Sequence, residues 1–309
     1  MLSHLKNIVL ALLALLSLPM VGCTEAPPAQ AEVAAEQVAE RPVPAPPASV
    51  SPADHRELKK FLASHGYDWD TLANGVPAFI LEILPADLDR IPQLSEKKRI
   101  FFLSLLPMVL MANEEILSQR EELIRLLELH QETGDLSAEQ RAWIESLARS
   151  YRVSGDPLNA PGARKRLLKR VDIIPPSMAL AQAANESGYG TSRFARLANN
   201  LFGEWTFSPG TGLVPKDRPA GSIYEVRRFA TLYDSVRSYF RNINTHRAYS
   251  SLRKHRAEAR AAGLPLRGID LAEGLTLYSA RKEAYVEEIR AIIRSNDLHS
   301  LATAALRNS

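Results

Sequence analysis

The sequence predicts a mainly helical protein with a small β-lobe, an α+β arrangement in which helices dominate. Between Lys97 and His130, apolar residues recur at helical spacing with few breakers. Residues 205–232 are instead rich in Gly and Pro and contain strand-like segments, while helical patterning continues on both sides. These two observations predict a helical body with a small β insert in its C-terminal half.

The overall composition is that of a globular protein of about two domains. The chain has 309 residues, of which 46% are apolar and 24% charged. A net charge of +3 is too small to indicate nucleic-acid binding. The histidines are scattered, and no Gly-rich phosphate loop is present. The sequence therefore predicts no metal site, no cofactor and no nucleic-acid partner.

Residues 1–22 have the pattern of an export signal. Lys6 supplies a short basic start, and Ile8 to Leu18 form an apolar run too short to span a membrane comfortably. The following Gly22-Cys23 resembles the end of a bacterial lipoprotein signal, which implies lipidation of Cys23. Thr24 in place of Asp resembles the sorting pattern for the outer membrane, so the protein is expected to face the periplasm. The alternative is a plain signal peptide with an incidental free cysteine.

Residues 23–52 form a Pro- and Ala-rich segment that is predicted to be disordered. It contains no large aromatic residue and cannot bury enough apolar surface to fold. Pro-rich chain is semi-extended, so the segment would act as a spacer between a membrane anchor and the folded protein.

Residues 53–155 are predicted to be a helical N-terminal region without catalytic groups. The apolar run from Ile100 to Ala112 is too short for a membrane span and favours a buried core helix. Gly134 is expected to end the long helix, and Ser137 with Gln140 forms a capping-box pattern for the next one.

Residues 156–300 are predicted to form a second domain, which begins after a turn-rich break. Its most informative helix would open at Pro175 and Pro176 and stop at Gly188 and Gly190. Ala183 and Glu186 share one face of that helix, so Glu186 lies in its last turn.

The position of Glu186 suits a general acid. The C-terminal end of a helix carries partial negative charge, which disfavours a carboxylate, and burial acts in the same direction. Both effects raise the pKa of a glutamate, as a proton donor to a glycosidic oxygen near neutral pH requires. By residue type alone, a surface helix glutamate is the simpler interpretation.

Three ordered motifs resemble glycoside hydrolase family 73, the bacterial endo-β-N-acetylglucosaminidases. They are "AQAANESGYG", "NNLFG" and "YSARKEAY", and the resemblance covers about residues 165–298. "NNLFGEW", "GLVP" and "NTHRAY" most resemble the Bax-like subgroup, whose helical extension would account for the N-terminal region. The resemblance implies a lysozyme-like catalytic domain that cleaves the glycan strands of peptidoglycan, with Glu186 as the acid.

The resemblance also implies further site residues. Glu225, in the predicted β-lobe, is the candidate second carboxylate, with Glu204 as runner-up and an exposed strand residue as the alternative for Glu225. A mechanism assisted by the substrate's acetamido group would need no carboxylate nucleophile. The substrate-binding candidates are Tyr189, Asn200, Trp205, Tyr278 and Tyr285. The family usually has Trp where this chain has Tyr189.

Two other functions remain open at this point. A lytic transglycosylase also uses a helix-terminal Glu-Ser pair, but it normally has a Gly-Leu-Met-Gln segment where "NNLFG" stands here. A non-catalytic wall-binding lipoprotein would keep the cleft for binding only, and it would have little reason to keep Glu186 at that position.

Overall fold

The computed structural model describes residues 47–219 and 221–307. Cys23, the predicted export signal and most of the predicted spacer lie outside these residues. The helices of the described chain are α1 (His55–Ser64), α2 (Leu94–Thr133), α3 (Ala138–Ser150), α4 (Pro161–Arg170), α5 (Pro176–Ser187), α6 (Arg193–Ala198), α7 (Leu232–Thr245), α8 (Ser250–Ala261), α9 (Gly268–Leu271) and α10 (Glu283–Ser295). The strands are β1 (Ala48–Val50), β2 (Phe79–Leu81), β3 (Trp205–Thr206), β4 (Gly212–Leu213) and β5 (Glu225–Arg227). This mainly helical architecture with a small β part confirms the predicted fold class, including its lysozyme-like character.

The 40-residue helix α2 forms the centre of the core. Its residues from Ile100 to Asn113 are all buried, so the helix is apolar on every side along this stretch. Within the described residues, α2 is the one helix long and apolar enough to cross a membrane, yet 83% of its most apolar window is buried inside the protein. The prediction of a core helix is therefore confirmed. Gly134 ends it in the left-handed conformation, as predicted.

Helix α5 is almost completely buried and packs against α2, α9 and α10. Its alanines keep its surface narrow, so the neighbouring helices approach closely. The closest approach is at Gly268 in α9, where an added Cβ would lie 2.3 Å from Ser177 Oγ and 2.7 Å from the Met178 nitrogen. The small residues of α5 thus seat it deep in the core with its C-terminal end directed at the β-lobe side of the protein.

One apolar core extends across the predicted boundary near residue 155. Helix α2 contacts both α5 and α7, and one apolar core runs through residues of both regions. The C-terminus also returns to the N-terminal region, where Arg307 donates hydrogen bonds to the carbonyls of His65, Gly66 and Gly75. A turn-rich segment is a boundary only when few contacts cross it, and here many do.

The end of the predicted spacer also belongs to the fold. Residues 48–50 form β1, which pairs in parallel with β2 in the register Ala48 with Phe79. The backbone of this short segment is therefore held by sheet hydrogen bonds. Residues 48–50 of the predicted spacer thus lie in a strand.

The β-lobe is a three-stranded antiparallel sheet with the order β3-β5-β4. Val226 in the central strand faces Trp205 on one side and Leu213 on the other. Thr231 then caps α7 through a capping box with Asp234. The lobe therefore occupies the segment between residues 205 and 232 that the sequence predicts.

Candidate active site

Glu186 lies in the last turn of α5, as predicted. The helix ends at Gly188, whose φ of 58° lies in the left-handed region that glycine adopts without strain. The Gly188 and Tyr189 N–H groups both donate to the carbonyl oxygen of Ala184 and close the helix end. The side chain of Glu186 is half-buried, so its carboxyl group remains accessible from one side.

One oxygen of Glu186 is held by a chain of buried side chains. The Tyr285 hydroxyl donates to Glu186 Oε1 at 2.8 Å, and Gln182 Nε2 donates to the Tyr285 hydroxyl at 3.0 Å. The Tyr239 hydroxyl in turn donates to Gln182 Oε1. The three hydrogen bonds therefore all run toward Glu186, and together they fix the orientation of its carboxyl group.

The other oxygen of Glu186 faces the Asn-Leu-Phe-Gly segment. A Cβ built on Gly203 would lie 3.9 Å from Glu186 Oε2. Gly203 has a φ of 69°, so glycine is required there for its backbone conformation, and it also leaves the approach to Oε2 free of a side chain. The "NNLFG" motif therefore forms the wall beside the reactive carboxyl group.

The environment raises the pKa of Glu186 above its usual value. Burial is the largest cause, while the hydrogen bonds from Tyr285 and Asn185 and the charge of Arg281 act in the lowering direction. The Glu288 carboxylate acts with burial. The net direction is upward, which agrees with the expectation for a group that must hold a proton.

A cleft of about 560 Å³ lies beside Gly203. Trp205 and Phe207 are 52% and 69% exposed on the β-lobe side, and large exposed aromatic rings of this kind can stack on sugar faces. The cleft is lined by Arg152, Phe202, Gly203, Glu204, Trp205, Phe207, Arg227, Ser238, Arg241, Asn242, His246, Tyr249 and Tyr278. Among the predicted substrate-binding residues, Trp205 and Tyr278 belong to this lining.

Tyr278 and Tyr285 differ in what they can contact. Their rings stack at 5.2 Å between centroids and only 6° between planes. The Tyr278 hydroxyl donates to the Phe202 carbonyl, and its ring lines the cleft. Tyr285 is fully buried. Its hydroxyl therefore orients the Glu186 carboxyl group from the buried side, while its contact with substrate stays a prediction.

Asn200 and Tyr189, which the sequence analysis predicts to contact substrate, both make structural contacts. Asn200 is buried, and its amide group donates to the carbonyls of Glu204 and Arg227 while its oxygen accepts from the Glu204 N–H. It thus ties the "NNLFG" turn to β5. The ring of Tyr189 packs edge-on against Phe101 and Phe102 of α2, so it joins the end of α5 to the core helix.

Glu225 holds the turn of the β-lobe. Its carboxylate oxygens accept the N–H groups of Gly210 at 2.9 Å and Gly212 at 2.8 Å. These backbone hydrogen bonds lower the pKa of Glu225, and the nearby Arg218 charge acts in the same direction. Glu225 is therefore an ionised, hydrogen-bonded carboxylate, and it is not among the residues that line the cleft.

Glu204, the runner-up of the sequence prediction, lines the cleft next to Gly203. Ser238 Oγ donates to its Oε2 at 2.8 Å, and Arg227 lies 3.6 Å from the same oxygen. Its Oε1 is buried without a hydrogen-bond partner in the described part of the chain. Burial raises the pKa of Glu204, which favours the protonated form. The structure thus brings Glu204, and not Glu225, to the cleft.

The sequence prediction missed Gln182 and Tyr239. Gln182 could have been predicted from its spacing, because it precedes Glu186 by one helical turn and must lie on the same face of the helix. No local sequence pattern could have predicted Tyr239, since it lies on α7, 57 residues further along the chain than Gln182.

Comparisons with known proteins agree with this geometry. The family model described as "Glucosaminidase: Mannosyl-glycoprotein endo-beta-N-acetylglucosaminidase" matches residues 162–298, which include Glu186 and both stacked tyrosines. The chain is 34% identical over 212 residues to "Protein bax" of Escherichia coli (strain K12), a match that covers 68% of this chain and 73% of that protein. No solved structure matches the chain. The glucosaminidase domain indicates a glycosidase related to peptidoglycan, and the chain belongs to the Bax-like family of glucosaminidase-domain proteins.

Proposed function

We propose that the protein is a peptidoglycan hydrolase that cleaves the β-1,4 bond after N-acetylglucosamine, with Glu186 as general acid. The observation that supports this most directly is the asymmetric setting of the Glu186 carboxyl group. One oxygen is bound by Tyr285, the other lies near Gly203 at an open cleft, and burial raises the pKa of the group. A carboxyl group that is both protonated and accessible is what a glycosidic leaving group needs.

In the proposed reaction, Glu186 gives its proton to the glycosidic oxygen as the bond from that oxygen to the anomeric carbon breaks. Positive charge develops on the sugar, water then bonds to the anomeric carbon through its oxygen, and the proton that this water loses passes to a carboxylate at the site. The Tyr285 hydrogen bond supports the carboxylate that remains. Trp205 and Tyr278 offer ring surfaces on which neighbouring sugars can rest.

Glu225 remains the proposed second carboxylate because it is ionised, as a base that activates water must be. Its two oxygens already accept the N–H groups of Gly210 and Gly212, and an ionised carboxylate has further lone pairs that can accept a hydrogen bond from water. If the substrate's acetamido group acts as nucleophile, Glu225 only positions water. In that case Glu225→Gln lowers turnover less than Glu186→Gln does. Glu204→Gln tests the competing carboxyl group in the same assay.

Digestion of purified sacculi, followed by mass spectrometry of the products, tests the proposal. The expected products carry reducing N-acetylglucosamine ends, and Glu186→Gln should lower the rate by about two to four orders of magnitude because Gln cannot release a proton. Exposed Glu121 on α2 provides a matched control, and Glu121→Gln should keep full activity.

Two results would contradict the proposal in different ways. Products with 1,6-anhydromuramic acid ends would identify a lytic transglycosylase. Tight binding of sacculi without turnover by the wild-type protein would identify a wall-binding lipoprotein.

We also propose that the mature protein begins at a lipidated Cys23 and is held at the outer membrane, facing the periplasm. The Gly22-Cys23 pair, with Thr24 following, supports this position. The Pro- and Ala-rich segment would let the folded part reach the glycan at a distance from the membrane.

A further inference from the structure

A second cavity continues the cleft toward the N-terminal helices. It has a volume of about 470 Å³ and is lined by Ala112, Glu115, Ile116, Gln119, Ser150, Tyr151, Arg227, Arg237, Ser238, Phe240, Arg241 and Asn244. Arg227, Ser238 and Arg241 line this cavity and the cleft beside Gly203 alike. The two spaces are therefore neighbours, and together their linings run from Gly203 and the β-lobe across α7 to α2 and the end of α3.

The joined groove is rich in guanidinium groups. We name Arg152, Arg227, Arg237 and Arg241 the basic branch of the groove. Arg227 is 3.6 Å from Glu204, and Arg237 is 3.2 Å from Glu115. Within residues 47–219 and 221–307, Arg152 and Arg241 have no carboxylate within ion-pair distance. The basic branch therefore keeps positive charge that the protein itself does not neutralise.

Arg152 and Arg241, the two arginines without a carboxylate partner in the described residues, both lie at the backbone turn that follows α3. Arg152 has a φ of 53°, which is uncommon for a residue other than glycine. Arg170 stabilises this turn by donating to the carbonyls of Tyr151 at 2.9 Å and Arg152 at 2.6 Å. Arg241 of α7 donates to the Ser150 carbonyl at 3.4 Å. The N-terminal region and the catalytic region thus meet at this pair.

Guanidinium groups in a groove select carboxylates, which they bind through paired charge-assisted hydrogen bonds. The sugar backbone of a peptidoglycan strand offers mainly hydroxyl and acetamido groups, whereas its peptide stems carry carboxylates. We propose that the basic branch binds the carboxylates of a peptide stem next to the bond that is cleaved, so that the enzyme prefers peptide-bearing strands. This inference rests on the proposed hydrolase function and adds a specificity site to it.

The test compares two substrates made from the same sacculi: strands that keep their peptide stems, and strands stripped of them by an amidase, whose newly exposed lactyl carboxylates are then blocked as neutral amides. We expect wild-type kcat/KM to be about tenfold higher or more on the peptide-bearing strands, since a hydrogen bond to a charged group contributes on that order. In the double variant Arg152→Gln, Arg241→Gln, the ratio of kcat/KM on peptide-bearing strands to kcat/KM on stripped strands should fall close to one. Raising the ionic strength should lower the wild-type ratio, because partly exposed charges are screened.

The matched control is Arg149→Gln. Arg149 lies on α3 only three residues before Arg152, but its partner is the exposed Glu145, and it lines neither cavity. This variant should keep the wild-type ratio. Arg241→Lys should keep part of the preference because the charge remains while the paired geometry is lost. Thermal unfolding of each variant checks that the fold is intact.

Separate outcomes distinguish the inference from the proposed function. Equal wild-type kcat/KM on both substrates would overturn the basic branch as a specificity site, while the hydrolase function would stand. If neither substrate is cleaved, the proposed function fails, and co-sedimentation with the two kinds of strand still decides the inference. Stronger binding to peptide-bearing strands that depends on Arg152 and Arg241 supports it, and equal binding contradicts it.

Discussion

At the scale of single residues, the central feature is the contrast among three glutamates. Glu204 lines the cleft and Glu186 lies beside Gly203 at its edge, and burial raises the pKa of each. Glu225 accepts two backbone N–H groups, which lower its pKa. Neighbouring carboxyl groups with pKa values shifted apart are the usual basis for separate acid and base roles at one site.

The Tyr285 hydrogen bond controls the pH dependence that we expect. Because it lowers the pKa of Glu186, Tyr285→Phe should raise that pKa further. Only protonated Glu186 is the useful form, so activity falls as pH rises through its pKa. The alkaline limb of the kcat profile should therefore move to higher pH in the variant, and kcat itself should drop as the carboxyl group loses its orientation.

Tyr67→Phe serves as the control, because Tyr67 is also buried but its hydroxyl has no hydrogen-bond partner within the described residues. Its pH profile should match the wild type. An unchanged alkaline limb in Tyr285→Phe would mean that Glu186 is not the group that titrates in the profile.

At the scale of elements, the close packing of α5 decides where Glu186 stands. Alanines on α5 and a glycine on α9 bring the two helices together, so their backbones almost touch near Ser177 and Met178. Cores of this density do not accept an added methyl group without movement. The position of α5 in the core therefore depends on Gly268 of α9 as much as on the small residues of α5 itself.

Gly268→Ala should destabilise the protein by about 1–3 kcal/mol, the usual cost of overpacking. The new Cβ would come within 2.3 Å of Ser177 Oγ. Urea unfolding followed by circular dichroism measures the effect. Gly162→Ala in α4 is the matched control, because its Cβ would meet only the mobile end of Arg166 at 3.4 Å, and it should be neutral or slightly stabilising. Equal stability of the two variants would show that α9 can move away from α5 freely.

At the scale of the whole molecule, one buried carboxylate joins distant helices. Asp172, between α4 and α5, receives two hydrogen bonds from Arg260 at 2.6 and 2.7 Å and lies 3.6 Å from the fully buried Arg256. Arg120 of α2 is 3.8 Å away. The arginine charges lower the pKa of Asp172 against the opposing effect of burial. The cluster thus fastens α8 and α2 to the start of α5.

Asp172→Asn should cost about 3–5 kcal/mol in the free energy of unfolding, because it leaves the buried Arg256 charge uncompensated. In the wild type, the folded pKa of Asp172 is below its unfolded value, so its contribution is present above the unfolded pKa and is lost as pH falls through the folded pKa. Urea unfolding over a range of pH measures both effects. Asp270→Asn, which breaks the exposed pair with Arg267, should change stability little. If both variants unfold alike, the cluster does not hold the helices together.

The proposed attachment of the protein to the membrane also belongs to the scale of the whole chain. We expect the mature protein to carry label from a palmitate analogue and to partition into the detergent phase, because Cys23 follows an export signal and a small residue. Cys23→Ser should abolish both. Equal labelling of the serine variant would contradict lipidation at this position.

Much of the active-site helix was determined by the sequence alone. Pro176 and Gly188 mark the two ends of α5 because proline suits a first helical turn and glycine a left-handed end. The same spacing assigns Glu186 to the last turn, and the Gly- and Pro-rich segment after it to a small β-lobe. These are local properties, and local backbone preferences are enough to specify them.

Only the tertiary structure decided which side chains surround Glu186 and which carboxyl groups reach the cleft. Tyr285 and Tyr239 reach α5 from distant helices, and Tyr285, which was predicted to contact substrate, is buried and donates a hydrogen bond to Glu186. Glu225 was predicted from its position in a β-lobe, but the backbone N–H groups of its own hairpin bind it. Side-chain contacts between segments far apart in the chain depend on packing, which no local pattern encodes.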